Sequence, residues 1–263
     1  MTLKVIAEQV EKIYDTPTGP FTAIHDFSLT VAEGEFVCIV GPSGCGKSTF
    51  LRIVAGLDRQ SRGTVQIVPG ADPRKPRNNV VFQEYAIFPW KTLLDNVAFG
   101  LQMRGVGKQE RYAIAMTWLE RVGLRAFAHY YPHQISGGMK QRVSIARALA
   151  NDPEVLLMDE PLGALDAQTR TLLQEELLHI WEANRKTVIY ITHSLDEAIL
   201  LGDRVVLMTA NPGMCKQIYP VALPRPRTLE VTATAAYTDL KFIIWESLRV
   251  EVERAMAAQG ERK

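Results

Sequence analysis

The stretch from Phe36 to Gly56 constrains the fold more than any other. Phe36-Val-Cys-Ile-Val40 is a continuous apolar run, the pattern of a strand buried on both faces in a parallel sheet covered by helices. It ends in the glycine-rich turn Gly41-Pro-Ser-Gly-Cys-Gly46, and Lys47 to Gly56 then places Phe50, Leu51, Val54 and Ala55 on one side of a helix. Gly41 to Thr49 fits G-x-x-x-x-G-K-[ST]. Glycines let successive backbone N–H groups curl around a phosphate chain, and the helix N-terminus adds positive partial charge. In such a loop Lys47 reaches the β- and γ-phosphates and the Ser48 hydroxyl can ligate Mg²⁺. Nucleotide binding is therefore expected through Gly41, Pro42, Ser43, Gly44, Cys45, Gly46, Lys47, Ser48 and Thr49. Cys45 reads as a small residue between glycines, because nothing nearby offers a resolving thiol.

The surrounding pattern is of mixed α/β type. Leu3 to Val10 and Phe27 to Val31 alternate as half-buried strands do. From about residue 92 to 150 helical spacing takes over, with Tyr112, Ala115, Met116, Leu119 and Val122 on one face and a further helix starting near Ser136. Apolar strand-like runs return at Val155–Met158, Val188–Ile191 and Val205–Met208. The prolines of Leu223-Pro-Arg-Pro-Arg227 mark an extended connector, after which Leu240, Ile243, Ile244, Leu248, Val252 and Met256 form an amphipathic stripe. Mixed charges on its polar face favour packing over a membrane anchor.

Composition narrows the classes. The 263 residues suit one large domain or two small ones. Lys and Arg number 30 against 29 Asp and Glu, a balance that gives no general argument for a nucleic-acid partner. No apolar run approaches the roughly 20 residues that span a bilayer, and the charged N-terminus has no signal-peptide core, so a soluble, cytosolic protein is expected. The scattered Cys38, Cys45 and Cys215 fit a reducing compartment rather than a disulfide framework. His129 and His133 are four apart, but Pro132 lies between them, so they read as part of a loop rather than as zinc ligands.

A phosphate loop alone could belong to a kinase, a GTPase or a motor. Gln134-Ile-Ser-Gly-Gly-Met-Lys-Gln-Arg142 discriminates, because it resembles the signature motif of ATP-binding cassette (ABC) ATPases. Val155-Leu-Leu-Met-Asp-Glu-Pro161 looks like that family's apolar strand ending in Asp-Glu. Gly163-Ala-Leu-Asp166 resembles its D-loop, Ile191-Thr-His193 its switch histidine and Val80-Val-Phe-Gln83 its Q-loop, while Tyr14 sits where the family places an adenine-stacking aromatic. The motifs keep the family's order over residues 1 to about 222. Phe88-Pro-Trp90, Asp95 to Leu101 and the Leu223–Arg227 tail resemble the group serving nitrate, sulfonate, taurine and bicarbonate importers.

The resemblance implies a phosphate-loop α/β core with an N-terminal antiparallel β subdomain and a helical signature subdomain, about 84–150, inserted in a domain of residues 1–222. Residues 223–263 are then a connector and terminal helix. It implies an ATPase using ATP and Mg²⁺. Ser48, Asp159 and Gln83 would hold the metal or its waters, Glu160 would be the general base for the attacking water, and His193 would contact the γ-phosphate. The signature departs from L-S-G-G-Q at Ile135 and Met139. Ile for Leu is a mild change of shape, and the expected contact comes mainly from Ser136 and the glycine backbone.

Lys47 and Ser136 belong to different subdomains, so one subunit should hold an incomplete site. The family implies a head-to-tail dimer with a second ATPase subunit, in which Ser136, Gly137 and Gly138 of one copy close over ATP held by the other and Asp166 couples the sites. Transport would require a separate permease and, indirectly, a solute-binding protein, with this chain peripheral on the cytoplasmic face of the inner membrane. Tyr85, Ile87, Phe88 and Trp90 read either as a permease-docking surface or as packing. A soluble ABC ATPase of DNA repair or translation is the alternative, although one phosphate loop, one signature and no heptad array speak against it.

Overall fold

In the computed structural model, which describes residues 2–260, the run Phe36–Val40 is a strand with all five residues buried. The chain divides into two compact units, one made of the residues up to Val68 and from Arg185 onward, the other of Pro69–Asn184.

The first unit opens with the long strands β1 (Leu3–Thr16) and β2 (Gly19–Ala32), then β3 (Phe36–Val40), α1 (Lys47–Val54) and β4 (Arg62–Ile67). β1 is central to an antiparallel sheet ordered β2-β1-β4. Alternation along β1 and β2, reset by irregularities at Gln9 and Asp26 where φ is positive, sends Val5, Ala7, Val10, Ile24, Phe27 and Leu29 inward, as a sheet with one wet face requires.

The second unit carries β5 (Asn78–Val81), α2 (Leu93–Met103), α3 (Lys108–Arg121), α4 (Gly137–Ala150), β6 (Val155–Asp159) and α5 (Ala167–Asn184). β5 and β6 are parallel, Val81 beside Met158. Leu93, Val97, Ala115, Leu119, Val143 and Ala146 form the shared core of α2, α3 and α4. The helical spacing expected around Tyr112 is α3, and the helix expected near Ser136 is α4, with Ser136 as its N-cap accepting from the Met139 N–H at 3.3 Å.

The chain re-enters the first unit with β7 (Thr187–Ile191), α6 (Leu195–Leu201), β8 (Arg204–Met208), β9 (Cys215–Pro220) and α7 (Ala235–Gly260). β7 and β8 flank β3 in parallel and β9 returns antiparallel to β8. All five residues of β7 are buried, so the strands read as continuous apolar runs.

The residues after 222 belong to the first unit together with β7, β8 and β9. The Pro-Arg-Pro-Arg connector is docked by its arginines. Arg227 is buried and donates to the Ile199, Leu200 and Gly202 carbonyls at 3.0, 3.2 and 2.6 Å, capping the end of α6 as a cation does. Arg225 pairs with Asp203 at 2.8 Å. Of the apolar stripe expected on α7, Ile244 and Leu248 are buried, whereas Ile243 and Met256 are exposed. The buried face is completed by Tyr237 and Glu251 instead. Among the described residues no helix is long and apolar enough to cross a membrane.

Candidate functional site

In the first unit the phosphate loop runs from the buried end of β3 to the first turn of α1. Gly46 caps that helix at φ +101°, and a Cβ there would lie 2.9 Å from the Ala23 carbonyl oxygen. Both the left-handed backbone and the close approach demand glycine. Lys47 is buried, and its ammonium donates to the carbonyls of Gly41 and Pro42 at 2.9 and 2.8 Å. The loop thus presets the cation beside its own backbone. Burial pushes the Cys45 thiol up, against the opposing pull of Lys47, which keeps it protonated and suits the reading of Cys45 as a small packing residue. Ser43 and Gly44 are exposed, and Ser48 and Thr49 are half-buried.

His193 is exposed in the turn between β7 and α6. That turn is set by a carboxylate the sequence reading passed over. Glu197 is buried and accepts from the Tyr190 and Thr192 hydroxyls at 2.9 and 2.7 Å, while Thr192 Oγ1 accepts from the Ser194 N–H at 3.0 Å. The Ser-x-x-Glu spacing at 194–197 is a legible helix-start signal. Its side chain, however, turns back to the strand.

Tyr14 lies near the hairpin end of β1, opposite Phe21, and its ring is 36% exposed. Its hydroxyl donates to Asp58 at 3.0 Å, and the Lys12 ammonium stands 4.7 Å from the ring centroid. Lys12 also bonds Asp58 at 2.6 Å and, more than any other group, holds that carboxyl below its usual value. One face of the ring therefore carries a cation.

In the second unit β6 delivers a buried Asp159 at its end, followed by Glu160 at φ +45°. A glutamate in the left-handed region is uncommon, and such strain concentrates at functional positions. Gln83 is close by, since a Cβ on Gly163 would lie 3.7 Å from both Gln83 Nε2 and Glu160 Cβ. Leu162, Leu165 and Leu173 form a small buried cluster beneath this turn. Arg170 donates to the Leu162 and Leu165 carbonyls at 3.3 and 2.8 Å, a brace that no sequence pattern announced. Asp166 accepts from the Thr169 N–H at 3.0 Å at the start of α5, and bonds from Thr169 lower its pKa. It caps that helix at the position the sequence assigns, by resemblance, to the D-loop.

The signature residues occupy the N-terminus of α4, with Ser136 exposed and Gly137 and Gly138 half-buried. A Cβ on Gly137 would meet the Tyr85 hydroxyl at 2.7 Å, and one on Gly138 the Thr169 Cγ2 at 2.7 Å, so a side chain at either position would have to displace its neighbour. Ile135 and Met139, the two departures from the family pattern, pack against the helical core. Beside them lies a groove of about 680 Å³ lined by Gln83, Tyr85, Ile87, Pro132, His133 and Lys140. The aromatic segment splits between the two readings it allowed. Ile87 packs on the helical core and Phe88 on Phe99, with ring centroids 4.6 Å apart, whereas Trp90 is 71% exposed. Fully buried Asn96, another residue passed over, accepts from the Phe88 N–H at 2.8 Å and donates to the Phe88, Lys91 and Thr92 carbonyls.

A strand–phosphate loop–helix, a strand ending in Asp-Glu and a serine-glycine helix start are the parts of an ABC-type ATPase. The chain matches the ABC transporter family over residues 24–163 and belongs to it. It is 51% identical over 233 residues to an uncharacterised ABC transporter ATP-binding protein of Methanocaldococcus jannaschii, covering 86% of this chain and 85% of that protein. It is 48% identical to the bicarbonate transport ATP-binding protein CmpD of Synechococcus elongatus, over 90% and 87% of the two chains. The nitrate import ATP-binding protein NrtD of the same organism is 46% identical, over 88% and 86%. Among solved structures, the ATP-binding cassette MJ0796 in a dimeric post-hydrolysis state with ADP and Pi aligns with a TM-score of 0.73 at 34% identity, covering 84% of this chain and all of that one. The chain is an ATP-hydrolysing ABC subunit, and the resemblance to the nitrate, sulfonate and bicarbonate group is borne out.

Proposed function

We propose that this chain powers an importer of a small oxyanion, of nitrate, sulfonate, taurine or bicarbonate type, through a separate permease. The observation that carries the reading is the identity of 46–48% to nitrate and bicarbonate ATP-binding proteins over nearly their full length.

In this reading Lys47 and the loop N–H groups bind the β- and γ-phosphates of ATP, and Tyr14 offers its ring to the adenine. The hydroxyl of Ser48, the carboxylate of Asp159 and the amide oxygen of Gln83 are hard oxygen donors, the set Mg²⁺ prefers. Mg²⁺, when bound, would neutralise charge on the phosphate oxygens. Glu160 takes the proton of the attacking water, and His193 orients that water at the γ-phosphate. Ser136, Gly137 and Gly138 of a second copy close the site head-to-tail, with Asp166 linking the two sites. The permease engages the groove beside Tyr85 and Trp90, on the cytoplasmic face of the inner membrane, and a solute-binding protein delivers the anion from outside. Selectivity then resides in those partners.

The test is an affinity pull-down from detergent-solubilised native membranes, read by mass spectrometry. Recovery of a multi-span permease, lost on Trp90→Glu, is expected. Recovery of ribosomal or repair proteins alone would leave the ATPase standing and overturn the transport role.

A further inference from the structure

The segment that follows α1 is fastened along β1 beside Tyr14. The Ser61 N–H donates to the Glu11 carbonyl at 2.7 Å, and the Ile13 N–H donates to Ser61 Oγ at 2.9 Å. An ion pair adjoins these bonds. The Lys12 ammonium donates to Asp58 Oδ1 at 2.6 Å and to the Arg59 carbonyl at 2.8 Å, and the Lys12 side chain is only 12% exposed. Asp58 Oδ2 accepts from the Tyr14 hydroxyl at 3.0 Å. One carboxylate therefore holds both the tyrosine ring and the cation that stands 4.7 Å from its centroid. Asp58 is itself tied to α1, since its N–H and that of Leu57 donate to the Arg52 carbonyl at 3.2 and 2.9 Å. The other end of α1 starts at Lys47 of the phosphate loop.

We propose that Lys12 and Asp58 are positioning residues for the nucleotide, setting Tyr14 as a base platform in fixed register with the phosphate loop. The inference rests on the proposed stacking of adenine on Tyr14 and adds what gives that ring its place. A half-exposed tyrosine near a hairpin end has rotamer freedom, and a base that stacks on it must pay for stopping that motion. Here the ring is ordered beforehand, its hydroxyl tethered to Asp58 and one face taken by Lys12, which leaves the opposite face for the base. The ammonium also acts on the stack itself. Two aromatic faces are both negative and repel when set flat against each other, and a cation behind one ring draws its density away from the shared face. Because Asp58 hangs from the C-terminal end of α1 and the phosphate loop opens its N-terminal end, base and triphosphate are registered to one helix. The pair lies outside the phosphate loop, so its effect belongs to the base end of the nucleotide.

The experiment is calorimetric titration of the full chain with ATP and with inorganic tripolyphosphate, in EDTA so that hydrolysis does not intervene. Lys12→Gln should weaken ATP binding at least about threefold while tripolyphosphate binding stays within about twofold. Lys12→Arg keeps a cation and should retain most of the ATP affinity. Tyr14→Phe keeps the ring and cuts its tie to Asp58, so it should show a smaller loss confined to ATP. In a Tyr14→Ala background Lys12→Gln should cost nothing further, because the two residues act through one contact. A Tyr14→Ala protein that binds ATP normally would remove the adenine reading and this inference with it. A loss of ATP affinity in Tyr14→Ala but none in Lys12→Gln would leave the adenine reading standing and overturn the positioning role. So would an equal loss for ATP and tripolyphosphate in Lys12→Gln, or an undiminished one in the Tyr14→Ala background, since either would mean that the pair serves only to hold the fold.

Discussion

At the scale of single residues, Glu160 joins chemistry to backbone strain. Its φ of +45° would cost little with glycine, yet a carboxylate stands there, next to the buried Asp159. Retention of a strained glutamate is understandable if its oxygen must face a substrate water. Glu160→Gln keeps size and backbone preference while removing the base. Turnover should fall on the order of 10²–10⁴-fold with ATP binding preserved, measured by phosphate release and nucleotide titration on the same protein. Near-normal hydrolysis would sink the assignment of the base. The residues proposed to carry phosphate chemistry stand out in the sequence because their types and order are dictated by the ligand. Glu197, Asn96 and Arg170 do not. Each acts through backbone or hydroxyl groups brought together only by folding, and an isolated Glu, Asn or Arg carries no trace of that in a one-dimensional pattern.

At the scale of elements, the signature turn is fixed by neighbours as much as by its own sequence. Gly138 faces the Thr169 methyl, and Thr169 in turn donates its N–H to Asp166. The start of α4 and the start of α5 are therefore one packed unit. Gly138→Ala should destabilise the protein by about 1–3 kcal/mol through overpacking, seen as a lower denaturant midpoint. Thr169→Ser deletes the offending methyl and keeps the N–H and hydroxyl, so it should restore at least about half of that loss. Equal destabilisation in single and double variants would mean that the glycine answers to something other than this contact. The existence and type of α3, α4 and the buried strands followed from their periodicity. The docking of the Pro-Arg-Pro-Arg connector did not, because arginines followed by prolines read as an exposed linker. Only the carbonyls at the end of α6 show why Arg227 is buried. The stripe assigned to α7 failed in part for a geometric reason. Apolar residues ring that helix widely enough to supply two faces, and periodicity alone does not say which one the body of the protein takes.

At the scale of the whole molecule, the proposed head-to-tail arrangement makes a claim that activity measurements can separate from every residue-level role. Lys47→Ala should cripple phosphate binding in its own chain, whereas Ser136→Arg should cripple the site it closes on the other chain. Each variant alone should therefore be nearly inactive. In a mixture, a dimer of one Lys47→Ala chain and one Ser136→Arg chain collects both defects in a single site. Its other site keeps the native Lys47 of one chain and the native Ser136 of its partner. Random pairing makes about half the dimers mixed, so turnover should reappear at about a quarter of the wild-type level if the sites act independently. Recovery to that level would require that each site be built from two chains, whereas no recovery would mean either that each chain closes its own site or that one intact site cannot turn over beside a defective one.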